Sequence, residues 1–200
     1  MDEFLCRVAP VLASQHALIT LRQVEDNGGD RQRAARYVDR DIWERVDVGL
    51  YGPTGVPMTW RRRLMATQLV APPGSQISHR AGAAMLGVGG LVEPMPEISI
   101  PAAARLRRPG IVVHRSEDLH LSEPIVVDGI SVTCPERLAM DLGSVVSDRH
   151  YRHTMREIRH VLGVSCESLL TTYLRHKRQG RNGGGSLRDW LDRYYGIEGL

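Results

Sequence analysis

Between Thr20 and Ile42 the chain carries two helix starts separated by one helix stop. Thr20 precedes Gln23 by three residues, the reciprocal cap in which each side chain satisfies a backbone amide of the other. Gly28-Gly29 ends that short helix, because glycine takes the left-handed C-cap conformation without steric cost. Asp30 then caps a further helix, expected over 31–42. Two helices joined by so tight a glycine turn form a helix-turn-helix.

A helical wheel at about 100° per residue tests the second of these helices. Ala34, Ala35, Val38 and Ile42 fall on one face. Arg33, Arg36 and Arg40 fall on the opposite face, flanked by Gln32 and Tyr37. A recognition helix needs this layout: small apolar residues pack inward, and guanidinium forks reach base edges and phosphates. A merely solvated arginine face has the same wheel, so the flanking segments must decide.

Upstream, residues 3–14 read as a helix with Phe4, Leu5, Val8, Val11 and Leu12 on one stripe. Downstream, Trp43–Val46 reads as a strand, Asp47-Val48-Gly49 as a turn and Leu50-Tyr51 as the returning strand. Three helices followed by a hairpin is the winged-helix order. Arg45 would then lie on the wing, near backbone phosphate. Asp39, Asp41, Glu44 and Asp47 oppose indiscriminate DNA binding, since like charge repels phosphate.

Net charge does not make this region a polyanion binder. Residues 1–52 hold seven arginines against nine acidic residues, and the basic excess lies in residues 151–200, with nine basic and five acidic residues. Of 26 basic residues only Lys177 is lysine. A GC-rich coding sequence produces this bias, although arginine also binds phosphate and guanine better than lysine does.

Residues 53–57, with two prolines and a glycine, read as a linker, so the expected domains are 1–54 and 58–200. Thr59 caps a helix to about Val70, with Trp60, Leu64 and Thr67 inward and Arg61, Arg62 and Arg63 mostly outward. Ser78 caps another, His79–Leu86. Ser78 and His79 are not expected to form a catalytic pair, because sequence neighbours diverge on a helix and no nearby acid orients the histidine. The period then becomes two. Residues 97–100 and 111–114 read as strands, and Asp128-Gly129 joins residues 125–127 and 130–133 in a hairpin. Pro135 opens a helix on which Arg137 and Asp141 pair at i, i+4, worth about 0.3–0.5 kcal/mol if exposed.

Residues 148–162 form an amphipathic helix. Tyr151, Met155, Ile158 and Leu162 face inward, and His150, His153, Glu157 and His160 share a separate sector. That sector could hold ligands, but no accompanying Cys or Asp completes a metal signature, so no metal site is expected. Ser165 caps a helix to about Arg178, residues 180–185 read as a loop, and Ser186 caps a last helix. Arg175, Lys177, Arg178 and Arg181 form a candidate phosphate or partner patch, or else a solvated helix end. The fold class is therefore α+β: a winged helix-turn-helix, then a mixed α/β domain with a small antiparallel sheet and a helical C-terminal part.

No run of 18 apolar residues occurs, so no membrane span is expected. The start, Met1-Asp2-Glu3-Phe4-Leu5, has no apolar signal core, and Cys6, Cys134 and Cys166 are too scattered for a disulfide framework. A cytoplasmic protein is the expectation.

The segments WERVDVGLYG (43–52), SHRAGAAMLG (78–87), EISIP (97–101), IVVHRSEDL (111–119) and DGISVTCPERLAMDL (128–142) occur in the order seen in the AbiEi-type antitoxin family, which the chain resembles. Leu138 departs from the pattern, standing where a hydroxyl residue is expected. The resemblance implies a winged-helix DNA-binding domain and a second domain that carries antitoxicity. It implies autoregulation through repeats in the operon's own promoter; dimers on inverted repeats are the usual helix-turn-helix solution, so self-association on DNA is expected. It also implies a nucleotidyltransferase-like toxin as functional partner, with direct binding not required. DNA contact carried over from the family falls on Arg33, Arg36, Arg40 and Arg45.

Two other readings stay open: a non-catalytic protein-interaction module, and a truncated relative of winged-helix/nuclease fusions. An active nuclease of that type pairs Glu-x-Lys with a magnesium-binding Asp, whereas Lys177 has Arg175 two residues before it. With no phosphate loop, nucleophile elbow or paired-carboxylate site, neither an enzyme nor a cofactor is expected.

Overall fold

Asp2 starts the first helix: its carboxylate accepts the Phe4 amide at 3.0 Å. A computed structural model describes residues 2–178 and 182–196, and the chain divides into two compact units, Met1–Ala71 and Pro72–Leu200.

The first unit runs α1 (Glu3–Ser14), β1 (Ile19–Thr20), α2 (Leu21–Asp26), α3 (Arg31–Asp39), β2 (Trp43–Asp47), β3 (Leu50–Pro53) and α4 (Trp60–Leu69). The strands form an antiparallel sheet in the order β1-β3-β2. The Thr20/Gln23 capping box forms as read, and Asp30 caps α3. Phe4, Val8, Val24, Ala34, Tyr37, Trp43 and Tyr51 make the core.

Three details of this unit differ from the sequence reading. Helix α3 ends at Asp39, not 42, because Asp41 turns left-handed (φ 56°) and the Ile42 amide reaches back to the Tyr37 carbonyl at 2.9 Å. Ile42 is consequently exposed rather than inward. Arg62 is buried, not outward: its Nη1 lies 3.2 Å from Glu44 and donates to the Val56 carbonyl. Nη2 reaches the Ala17 carbonyl at 3.5 Å. These contacts tie α4 to the first unit, so the division falls after Ala71 rather than at 54–58.

The second unit runs β4 (Gln76–Ile77), α5 (His79–Met85), β5 (Glu97–Pro101), β6 (Val112–Ser116), a 3₁₀ turn (Leu119–Leu121), β7 (Ile125–Val127), β8 (Ile130–Val132), α6 (Pro135–Leu142), α7 (Asp148–His160), α8 (Cys166–His176) and α9 (Gly184–Tyr195). The molecule is α+β, with a mixed rather than purely antiparallel sheet, ordered β6-β5-β4-β8-β7. Pairs β5/β6 and β4/β8 are parallel; β4/β5 and β7/β8 are antiparallel. The sequence reading missed β4 because two residues cannot display a two-residue period. In the β7–β8 turn Asp128 and Gly129 have φ of 57° and 77°, the double left-handed geometry such a two-residue turn requires. Helix α9 begins at Gly184 instead of being capped by Ser186, whose hydroxyl donates to the Gly143 carbonyl at 3.0 Å. The helical core collects Leu138, Met140, Leu142, Tyr151, Met155, Ile158, Leu169, Leu187 and Trp190. No helix among the described residues is long and apolar enough to cross a membrane.

Candidate functional site

Helix α3 presents a narrower polar face than its wheel implies. Gln32, Arg36 and Arg40 are exposed, as is Arg31, and Arg45 is exposed on β2. Arg40 is the C-cap of α3, its amide donating to the Arg36 carbonyl at 3.1 Å. Tyr37 points the other way. It is buried in the aromatic cluster, 5.0 Å from the Trp43 ring centroid and 5.9 Å from that of Phe4. Its hydroxyl donates to the Asp2 carboxylate. Burial and that hydrogen bond push the phenol up to about 12, and the same bond leads in holding Asp2 below 3.8. Arg33 is half-buried, its guanidinium carbon 4.8 Å from the Phe4 ring centroid. Tyr37 and Arg33 therefore join α3 to α1 instead of facing outward with Arg36.

In the β2–β3 hairpin the register shifts between Arg45 and Asp47. The Asp47 carboxylate accepts the Val48 amide at 2.6 Å, leaving the Val48 side chain 81% exposed at the tip.

In the second unit the C-terminal cations are partly engaged. Arg178 lies 2.6 Å from Glu117 and 3.8 Å from Asp118. Arg175 donates to the Leu121 carbonyl at 3.3 Å, and the Lys177 ammonium lies 5.9 Å from the Tyr173 ring centroid. Arg181 lies outside the described residues. In the histidine sector of α7, His153 lies 3.3 Å from Glu157, which also accepts the Gly89 amide at 2.5 Å.

Beneath them is a buried ionic network. Arg137 Nη2 lies 2.9 Å from Asp118 Oδ1 and 2.8 Å from Ser116 Oγ, and Nη1 donates to the Asp118 carbonyl at 2.8 Å. Arg137 Nε lies 3.5 Å from Asp141 Oδ2. His176 completes the network, 3.2 Å from Asp118 and 2.7 Å from the Ser122 hydroxyl. The Arg137/Asp141 pair, read as a helix-supporting contact, has both side chains only 1% exposed, so the energy of an exposed pair does not apply to it.

A second cluster was not anticipated. His79, Glu97 and His114 bring their ligand atoms within 4.8 Å of one another, the only such metal-capable group among the described residues. Ser78 and His79 do interact, contrary to the sequence reading, with Ser78 Oγ 2.9 Å from His79 Nδ1. The helix argument fails because Ser78, the N-cap, is extended and His79, the first residue of α5, is left-handed (φ 51°). An acid is also close, Glu97, from the adjoining strand β5, far away in sequence. Ser78 is nevertheless fully buried and shares its hydroxyl with Ser99 at 2.8 Å, so a substrate cannot reach it. Burial would raise the Glu97 pKa, but His114, the Arg80 amide and the Arg80 guanidinium outweigh it and hold the carboxylate below its usual range. Beside the cluster is a cavity of about 240 Å³ lined by His79, Ser99, His114, Arg115 and Arg137, among others.

No protein-family model and no curated protein matches the chain. Among solved structures, the crystal structure of the RV2827C protein from Mycobacterium tuberculosis is similar, with a TM-score of 0.56 and 18% identity over 96% of this chain and 76% of that one. At that identity the likeness concerns the fold.

Proposed function

We propose that this chain is a DNA-binding transcriptional repressor that serves as the antitoxin of a type IV toxin–antitoxin pair, acting on its own promoter in the cytoplasm. The observation that carries the reading is the exposure of Gln32, Arg36 and Arg40 along one side of α3, with Ala34 and Tyr37 buried on the other. The element order α1-β1-α2-α3-β2-β3 is the one a winged helix uses, with α3 as recognition helix and β2–β3 as wing. Arg36 and Arg40 would enter the major groove and Arg45 would approach the backbone phosphates. Arg33 and Tyr37, first assigned to DNA, would act behind them by fixing α3 on α1. Two protomers would bind inverted repeats. The resemblance to the AbiEi-type family supplies the toxin, a nucleotidyltransferase-like protein countered with or without direct contact.

A protein-interaction module is the second reading, favoured by the exposed Val48 at the hairpin tip and by the acidic balance of residues 1–52. Fluorescence anisotropy over a salt series separates the two, using DNA from upstream of the chain's own gene against a scrambled duplex. Preferential binding that Arg36→Ala/Arg40→Ala abolishes supports the repressor. No preference, or an unaffected double variant, overturns it in favour of the interaction module.

A further inference from the structure

We propose that His79, Glu97 and His114 bind one divalent transition ion of the zinc type, with an open coordination position toward the adjoining cavity. The three donors are distant in sequence but are gathered by neighbouring strands, His79 standing at the start of α5 just after β4. β4 delivers His79, β5 opens with Glu97, and β6 carries His114 opposite Ser99. Two imidazoles and one carboxylate are a donor set used by catalytic zinc sites that keep a fourth position open.

The surroundings already orient two of the ligands. Ser78 Oγ lies 2.9 Å from His79 Nδ1, and with Nδ1–H donating to that hydroxyl the ligating nitrogen is Nε2. Arg80 holds both oxygens of Glu97, through its side chain at 2.7 Å and its amide at 3.0 Å. Hydrogen bonds of this kind, from the second nitrogen of a histidine and to a ligating carboxylate, fix ligand orientation at metal centres. His114 Nε2 is shut off from solvent without a hydrogen-bond partner. Its nearest acid oxygen, Glu97 Oε2, is 3.7 Å away, too long for a hydrogen bond. A bound cation would give that nitrogen a partner.

Binding requires one movement. The His79 and His114 rings are stacked, centroids 3.5 Å apart and planes 15° from parallel, so their lone pairs do not converge. Ligands around a tetrahedral ion lie about 3.3 Å apart given metal–ligand bonds near 2.0–2.2 Å. His114, on the edge strand β6 and partly exposed, is the ring able to turn and close that distance. The site is independent of DNA binding and stands or falls separately.

Zinc is titrated into the chelator-stripped full chain by calorimetry, with cobalt(II) as a spectroscopic substitute and circular dichroism as the folding control. One equivalent should bind, producing visible cobalt absorption of a tetrahedral site. Zinc should also shift the ring-proton resonances of His79 and His114. His114→Ala, on the edge strand, should retain the fold and weaken binding at least about 100-fold. Ser78→Ala should weaken it about 10–100-fold. His153→Ala and Cys6→Ser should leave it unchanged. Absence of saturable binding, or binding that His114→Ala leaves intact, overturns the proposal.

Discussion

The Tyr37 hydroxyl donates to the carboxylate of Asp2, so the middle of α3 is bonded to the residue that caps α1. The bond requires a protonated phenol and an ionised carboxylate. Asp2 is held below 3.8, so its contribution is present above that value and is lost as pH falls through the lowered pKa. Tyr37 is raised to about 12, so its contribution is present below the ordinary 10 and is lost as pH rises from there through 12. Urea midpoints of the wild type and Tyr37→Phe should therefore differ by a constant amount between about pH 5 and about pH 9. The difference should shrink in stronger acid and in stronger base.

Arg33 and Arg36 are three residues apart on one helix and should behave differently. On the proposed repressor reading, Arg36→Ala should weaken binding to the promoter DNA by about 1–3 kcal/mol if it reads a base, and lower the salt slope by about one if it holds a phosphate. Its effect on the unfolding midpoint should be within about 0.5 kcal/mol, as for an exposed substitution. Arg33→Ala removes the guanidinium over Phe4 and should lower stability by about 0.5–2 kcal/mol. Anisotropy and urea denaturation run on the same preparations check both halves.

Several caps and turns were legible because each is written in adjacent residues, although the Ser78 side chain makes no capping bond and Ser186 lies inside α9. Thr20 with Gln23, Asp30 before α3 and Asp128-Gly129 between β7 and β8 each specify local backbone. The facing of Tyr37 and Arg33 was not, because the wheel assumes one inward stripe. α3 instead packs along a wider arc, against α1 as well as the sheet, where Phe4 and Asp2 accept both side chains. Arg62 read as outward and the burial of Arg137 was not foreseen, because burial of an arginine depends on acceptors that arrive from elsewhere in the chain: the Ala17 carbonyl for one, Asp118 for the other. The His79/Glu97/His114 cluster left no sequence spacing to find. It exists only through the order β6-β5-β4, and β4 itself was too short to be recognised.

Gly29 lies where α2 turns into α3, and the turn is packed down onto α1. A Cβ at this position would lie 2.7 Å from Phe4 Cε2 and 2.7 Å from Val24 Cγ1, closer than side-chain carbons approach. Gly29→Ala should cost about 1–3 kcal/mol through overpacking and should displace α3 from its seat on Phe4. Gly55 is the control. A Cβ there meets nothing within 4 Å, and only its left-handed φ of 81° opposes a side chain, so Gly55→Ala should cost about 1 kcal/mol. Operator affinity should fall in the first variant and not in the second.

Arg137 is buried with its charge matched by Asp118 at 2.9 Å and Asp141 at 3.5 Å. It joins α6 to the segment that follows β6, and His176 on α8 closes the network from the other side. Arg137→Met keeps much of the volume but strips the guanidinium from two buried carboxylates, of which Asp118 keeps His176 and Arg178 nearby, so the loss should be about 3–5 kcal/mol. Arg137→Lys restores the charge without the fork that reaches the Asp118 carbonyl, Ser116 and Asp118 together, and should recover only part of the loss. In Arg137→Met/Asp118→Asn one of the buried charges is gone, so the double variant should be more stable than the sum of the single losses requires. A coupling of about 0.5–3 kcal/mol in this cycle, measured by urea denaturation, is the expected result. Strict additivity would mean that Arg137 acts through packing, with its charge screened despite its burial.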